Sequence, residues 1–318
     1  MNIREYDPEK RITEPGVYRM NINFYHSDCC DAPSFSSGDL VTISRSGQEY
    51  WYNSVYNPAA PKRKHKAHLH FGNAAHARIL DPEGWQNDYI LRPKEFKSWR
   101  GEAAQMWRMV QERGGKIAIT EEEVELVDYM AHQIEKDPTA QAIFADGEPE
   151  LSLFVKFQDI WIKCRPDMTP TYDIALENDY KTTADNSLDA VDRDIEKWGY
   201  DQKLANIAWC KRQLKEDFPD MPPVHEGAFS LIFQKSKPPA GITCVDIMPD
   251  DIMDMVSMNL YAATYAAEAM RGTRSWSGYT ESIHQFQRKP WHKRRLEGLI
   301  ASGFLPAVDD DLNIIGEK

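Results

Sequence analysis

Between residues 69 and 80, Phe71, Ala74, Ala75, Arg78 and Ile79 recur at the spacing of one helical face, which predicts a helix that stops at Asp81-Pro82. Upstream, "SFSSGDL" from residue 34 offers Ser36 or Ser37 as a helix cap, and the aromatic-rich "EYWYNSVYNP" reads as running into a loop. Two more helices are expected over 95–111 and 120–136. Thr120 opens the second, with Glu123 at the spacing of a capping box.

The period then shortens to two. In "ELSLFVKF" the side chains of Leu151, Leu153, Val155 and Phe157 share one face, "QD" turns the chain and "IWIKCRPD" returns. "YDIALENDYK" is expected as the third strand of this meander, with carboxylates at the strand ends. Val191, Ile195, Trp198, Gln202, Ala205 and Trp209 then trace one face of a long helix, bent at Gly199, with Gln202 the polar member of the stripe. Strands "AFSLIFQK" and "ITCVDIM" precede a final helix over about 250–270. This order predicts an α/β fold with a central mixed, mostly antiparallel sheet flanked by helices. No repeat, low-complexity tract or Gly/Ser linker divides the chain, so residues 33–318 are expected as one domain behind an N-terminal extension, 1–32.

A chain of 318 residues, 42% of them hydrophobic, can bury a large core. No apolar run nears the roughly 20 residues that cross a bilayer. The opening MNIREYDPEKR is too charged for the core of a secretion signal, so a cytoplasmic protein with no membrane partner is expected. The five cysteines are odd in number and lack CxxC spacing, against both a disulfide framework and a metal cluster; His26 beside Cys29 and Cys30 leaves zinc as a minor alternative.

The balance of 38 basic against 50 acidic residues, a formal charge of −12, looks wrong for a nucleic-acid binder. Net charge governs solubility more than local recognition, however. Two basic clusters are candidate DNA contacts: Lys62, Arg63, Lys64 and Lys66 in "PKRKHKAHLH", and Arg288, Lys289, Lys293, Arg294 and Arg295 in "QRKPWHKRR". Either alone reads equally as a solvated surface.

"RPDMTPTYDIALENDYKTT" sets Asp167, Asp179 and Lys181 around the apolar run Ile174-Ala175-Leu176, which reads as a buried strand. Charge at the end of such a strand is costly unless compensated. A divalent metal would compensate the carboxylates and leave the lysine facing whatever anion the metal binds. Singly, Asp167 after Pro166 reads as a turn aspartate and Lys181 as a surface lysine.

Together "EPELSLF", "CRPD", "DYKTT", "HFGNAAHARILDPEGW", "PSFSSGDL" and "WSGYTESIHQFQRKPW" resemble the PD-(D/E)XK nuclease superfamily, in particular its RecE and lambda-exonuclease-like branch of phages and prophages, over roughly residues 33–295. The resemblance implies a restriction-endonuclease-like core. It makes Asp167 the PD aspartate and a metal ligand, Asp179 the acidic residue of D-x-K, and Lys181 the lysine at the attacking water or scissile phosphate. Glu150 would help hold a second metal, Tyr180 would lend its backbone carbonyl, and His76 would approach from its helix. Gln202 matches a helical glutamine followed four residues on by tyrosine, where Asn206 stands here. On bland readings His76 is a packed helix histidine and Gln202 a satisfied core amide.

The resemblance implies a Mg²⁺-dependent exodeoxyribonuclease, with Mn²⁺ able to substitute, that resects the 5′ strand of linear duplex ends. It also implies a ring-shaped homo-oligomer around DNA and a single-strand annealing partner. An endonuclease or repair nuclease on the same fold, and a non-catalytic DNA-end-binding protein, are the alternatives.

Overall fold

The computed structural model describes residues 2–61, 68–144, 147–169, 177–217, 229–279, 289–303, 307–308 and 314–315, in two compact units, Met1–Gly278 and Tyr279–Lys318.

The first unit opens with β1 (Ile3–Glu5), β2 (Gly16–Arg19) and the short α1 (Ile22–Tyr25). β3 (Ser34–Ser36) runs directly into α2 (Ser37–Arg45), then α3 (Gly47–Asn53). Ser36 is the cap of α2: its hydroxyl accepts from the Asp39 N–H while the Asp39 carboxylate accepts from the Ser36 N–H. The segment expected to run into a loop first forms α3, because Ser46 caps it and Tyr50 is buried, and leaves the helix at Ser54. α4 (His68–Leu80) stops at Asp81, which caps α5 (Pro82–Asp88). Next come β4 (Tyr89–Leu91), α6 (Glu102–Arg113), β5 (Ile117–Ile119), α7 (Glu121–Lys136) and α8 (Pro138–Phe144). α6 starts later than the predicted 95 because Pro93 opens a turn closed by the Phe96 N–H; Thr120 and Glu123 form the expected capping box on α7.

β6 (Glu148–Pro149), β7 (Ser152–Phe157), β8 (Ile160–Cys164), β9 (Met168–Thr169) and β10 (Glu177–Thr183) follow. α9 (Leu188–Trp198) and α10 (Tyr200–Asp217) lead to β11 (Phe229–Lys235), β12 (Ile242–Asp246) and α11 (Pro249–Met270). The predicted long helix is two helices. Gly199 takes the left-handed conformation at φ 60° and ends α9. A Cβ at that position would lie 2.8 Å from Val41 Cγ1, so the break also lets α2 approach.

The strands divide into a five-stranded sheet, β1-β2-β7-β8-β3, and a three-stranded sheet, β10-β11-β12. β7 and β8 form the expected antiparallel hairpin, while β3 lies parallel on β8 and β10 lies parallel on β11, so the pairing is mixed, as expected. The expected third strand of the meander is corrected here. β10 does not return to β8: it is the edge strand of the three-stranded sheet, parallel to β11, with α4 and α10 packed on it, and coverage on both faces suits parallel pairing. Ile174, Ala175 and Leu176 lie outside the described residues.

Residues of the N-terminal segment join the five-stranded sheet, β2 pairing with β7, and Ile12, Tyr25, Cys29 and Cys30 pack with Phe154 and Trp161. The largest core lies between this sheet and α2, α10 and α11. A second gathers α4, α7 and α8 on β11 and on Tyr180 of β10.

The second unit contains α12 (Pro290–Ala301) and an antiparallel pair, β13 (Ala307–Val308) and β14 (Ile314–Ile315). Among the described residues no helix is long and apolar enough to cross a membrane.

Candidate active site

Alternation along β10 sorts its side chains onto two faces. Asn178 and Tyr180 turn toward the second core, where Asn178 Nδ2 donates to the Ile143 carbonyl and the Tyr180 hydroxyl donates to Gln234 Oε1 at 2.6 Å. Glu177, Asp179 and Lys181 turn the other way. Lys181 Nζ stands 2.5 Å from Asp179 Oδ2 and 3.8 Å from Asp167 Oδ2, which brings both sequence-predicted aspartates and the lysine together.

Asp167 arrives from the hairpin. After β8 the chain leaves the five-stranded sheet, and β9 pairs with β6, setting Pro149 opposite Met168; the Glu150 N–H then donates to the Asp167 carbonyl. Asp167 Oδ2 accepts the Tyr180 N–H at 2.6 Å. Glu150 takes the left-handed backbone at φ 51°, which costs a non-glycine residue about 1 kcal/mol and marks a position held by its surroundings. Its carboxylate accepts from Arg165 Nη2 at 2.8 Å, and Arg165 Nη1 donates to the Met20 carbonyl and to Ser152 Oγ. Glu150 therefore precedes β7 instead of lying on it, and is tied to an arginine.

His76 reaches the site because Gly72, one turn earlier on α4, permits close approach to β10: a Cβ there would sit 3.3 Å from Thr182 Oγ1. The His76 ring meets the Tyr180 ring edge-on at 4.9 Å, with Nδ1 3.7 Å from Asp167 Oδ2.

Gln202 is brought elsewhere. It is buried, donating from Nε2 to Asn259 Oδ1 at 3.0 Å, while its own carbonyl accepts from Asn259 Nδ2. Asn206 is buried as well and donates to Ser37 Oγ and the Lys163 carbonyl. Both are amides satisfied between helices and sheet. The neighbouring Lys203 faces the site instead, lining a cleft of about 510 Å³ with His76, Glu150, Arg165, Asp167 and Asp179. Lys203 and Arg165 went unread in the sequence. The available signal was spacing: Lys203, Ile207 and Lys211 stand four apart, putting two charged residues on one helical face.

The charges interact strongly. Burial, and then the neighbouring Asp179, push Asp167 well above the usual carboxylate range. Burial acts the same way on Asp179, but the ammonium of Lys181 outweighs it and holds Asp179 low. Burial would lower Lys181, yet Asp179 and Asp167 hold it raised. Burial lowers Lys203, with the charge of Lys181 adding to the effect, and burial lowers His76 to about 3.

Two neighbouring carboxylates drawn out of bulk water, one of them raised by the other, are a donor set a divalent cation would relieve. Among the described residues no group of three His, Cys, Asp or Glu side chains gathers as a metal site. Asp167, Asp179 and the Tyr180 carbonyl are oxygen donors that would suit a hard divalent cation. The Tyr180 carbonyl now accepts from Lys181 Nζ at 3.0 Å.

Of the basic clusters, Lys62, Arg63, Lys64, Lys66 and Arg288 lie outside the described residues. Lys289 is the N-cap residue of α12, and Lys293, Arg294 and Arg295 are exposed on that helix. Trp291, beside them, is 58% exposed.

A mixed sheet between helices, with an aspartate before one strand and D-x-K on the next, defines a member of the PD-(D/E)XK nuclease superfamily. Residues 47–218, more than half the chain, match the family described as a PDDEXK-like domain of unknown function (DUF3799), and the chain belongs to that family. In fold it is similar to the crystal structure of a candidate exonuclease from Eubacterium rectale, with a TM-score of 0.55 over 86% of this chain and 96% of that one, at 11% identity. No curated protein sequence matches the chain.

Proposed function

We propose that the protein is a Mg²⁺-dependent exodeoxyribonuclease that degrades one strand of linear duplex DNA, from the 5′ end. The observation that carries this reading is Lys181 set against Asp167 and Asp179, two aspartates that line an open cleft. Hydrolysing a phosphodiester needs an activated water, stabilised phosphoryl oxygens and help for the leaving oxyanion. Mg²⁺, held by Asp167, Asp179 and the Tyr180 carbonyl, would supply Lewis acidity toward those oxygens. Lys181 offers its ammonium to the phosphate or the attacking water, and His76 packs beside Asp167 and keeps that carboxylate in place. Arg165 steadies Glu150 at the cleft. The exposed basic residues of α12 would track the DNA backbone. A ring-shaped homo-oligomer, an annealing partner for the single-stranded product and work in the cytoplasm complete the proposal, resting on the motif resemblance.

Incubating the protein with linear duplexes labelled at either end and with closed circular duplexes, in Mg²⁺, Mn²⁺ or EDTA, tests it. Metal-dependent loss of the 5′ label from linear DNA alone is expected. Cutting of closed circles would make the protein an endonuclease, and duplex binding without cleavage would make it a DNA-end-binding protein.

A further inference from the structure

We propose that Lys203 is a second phosphate-binding cation of the cleft, contacting a non-bridging oxygen of the strand being cut, with Tyr200 as the shelf that holds it. The proposal rests on the nuclease reading above and extends it to a residue outside the P-D and D-x-K elements.

Two ammonium groups share the Tyr200 ring: Lys203 Nζ lies 4.8 Å and Lys181 Nζ 5.4 Å from its centroid. Lys181 is matched by Asp179 at 2.5 Å and Asp167 at 3.8 Å. Lys203 has no carboxylate within 4.0 Å among the described residues. The surrounding cations each donate to an oxygen of the protein. Arg165 is bound to Glu150, Arg45 donates to the carbonyls of Glu196 and Lys197, Lys163 donates to the Tyr25 carbonyl, and Lys211 pairs with Glu177. Lys203 alone of this group lines the cleft with its ammonium given no protein acceptor among the described residues.

Its placement is enforced. Lys211, two turns along α10, forms with Glu177 of β10 an ion pair whose side chains are 0% and 1% exposed. That pair fixes the rotation of the helix over the strand and turns Lys203 to the Asp179 end. Two like charges on one ring, away from bulk water, repel. An anion entering the cleft converts that repulsion into two attractions, and a phosphodiester brings that charge.

The experiment compares wild type with Lys203→Gln, Lys203→Arg and Lys181→Ala. Binding to a 5′-phosphorylated linear duplex is measured across a salt series in Ca²⁺, turnover in Mg²⁺, and Tm without DNA. Lys203→Gln is expected to lower kcat/KM about tenfold or more and to reduce the slope of log affinity against log salt by about 0.9. Its Tm should not fall, since a repulsion is removed, and Lys203→Arg should keep most of the activity. If Lys203→Gln matches wild type while Lys181→Ala is inactive, Lys203 is a solvated rim lysine: the proposal fails and the nuclease reading stands. Lost activity with an unchanged slope and a lowered Tm would mean a packing role, which also overturns it. A wild-type chain that neither binds nor cuts duplex DNA overturns both readings together.

Discussion

Glu177 and Lys211 are joined across the main core by an ion pair of 2.5 Å, sealed from solvent on every side. Burying two charges carries a desolvation penalty that their attraction roughly offsets, whereas stranding one of them is strongly unfavourable. Lys211→Met alone should therefore destabilise the fold by about 3–5 kcal/mol. Glu177→Leu with Lys211→Met should recover most of that loss. Urea unfolding of the two variants checks this; equal stability of the single and double variants would refute a paired role.

Removing a ligand charge at nearly constant volume isolates metal binding from packing. Asp179→Asn should lower turnover by about a hundredfold or more while leaving the circular dichroism spectrum intact. In wild type, Mg²⁺ at about a hundred times its Kd should add about 2.7 kcal/mol of stability, and the variant should show almost none of it. Thermal denaturation with Mg²⁺ and with EDTA is the measurement; a retained Mg²⁺ shift would remove Asp179 from the ligand set.

His76 couples stability to acid. Burial holds its ring at about 3, against a usual value of 6.5. The unfolded chain takes up this proton as pH falls through 6.5 and the folded chain does not until about 3, so the contribution is complete above 6.5 and is lost progressively below it. His76→Phe, which keeps a ring against Tyr180, should lose less stability than wild type between pH 7 and 4. Parallel stability curves from urea unfolding would show that His76 is not held neutral.

The exposed cations of α12 are expected to add to affinity without selecting a sequence. Lys293→Ala with Arg294→Ala should weaken binding to every linear duplex and flatten its salt dependence by up to about 0.9 per lost phosphate contact. The comparison is made in Ca²⁺, without cleavage. An unaltered slope would leave α12 as a solvated surface and direct the search for the DNA path to Lys62, Arg63, Lys64 and Lys66.

The sequence by itself determined those features whose physics is local. Ser36 and Thr120 cap their helices because a hydroxyl and a carboxylate three residues apart satisfy the free N–H groups at a helix start. The β7–β8 hairpin follows from strict alternation, and Asp167, Asp179 and Lys181 were readable because P-D and D-x-K stand in the order of the nuclease motif they resemble. What only the tertiary structure decided depends on which surfaces meet. The partner of β10 is β11, and no pattern within β10 itself specifies that neighbour. Gln202 and Lys203 are adjacent in sequence, so about 100° of helical rotation separates a core amide from a cation at the cleft. That rotation is set by the Glu177–Lys211 pair and by the left-handed break at Gly199, contacts between residues far apart in the chain.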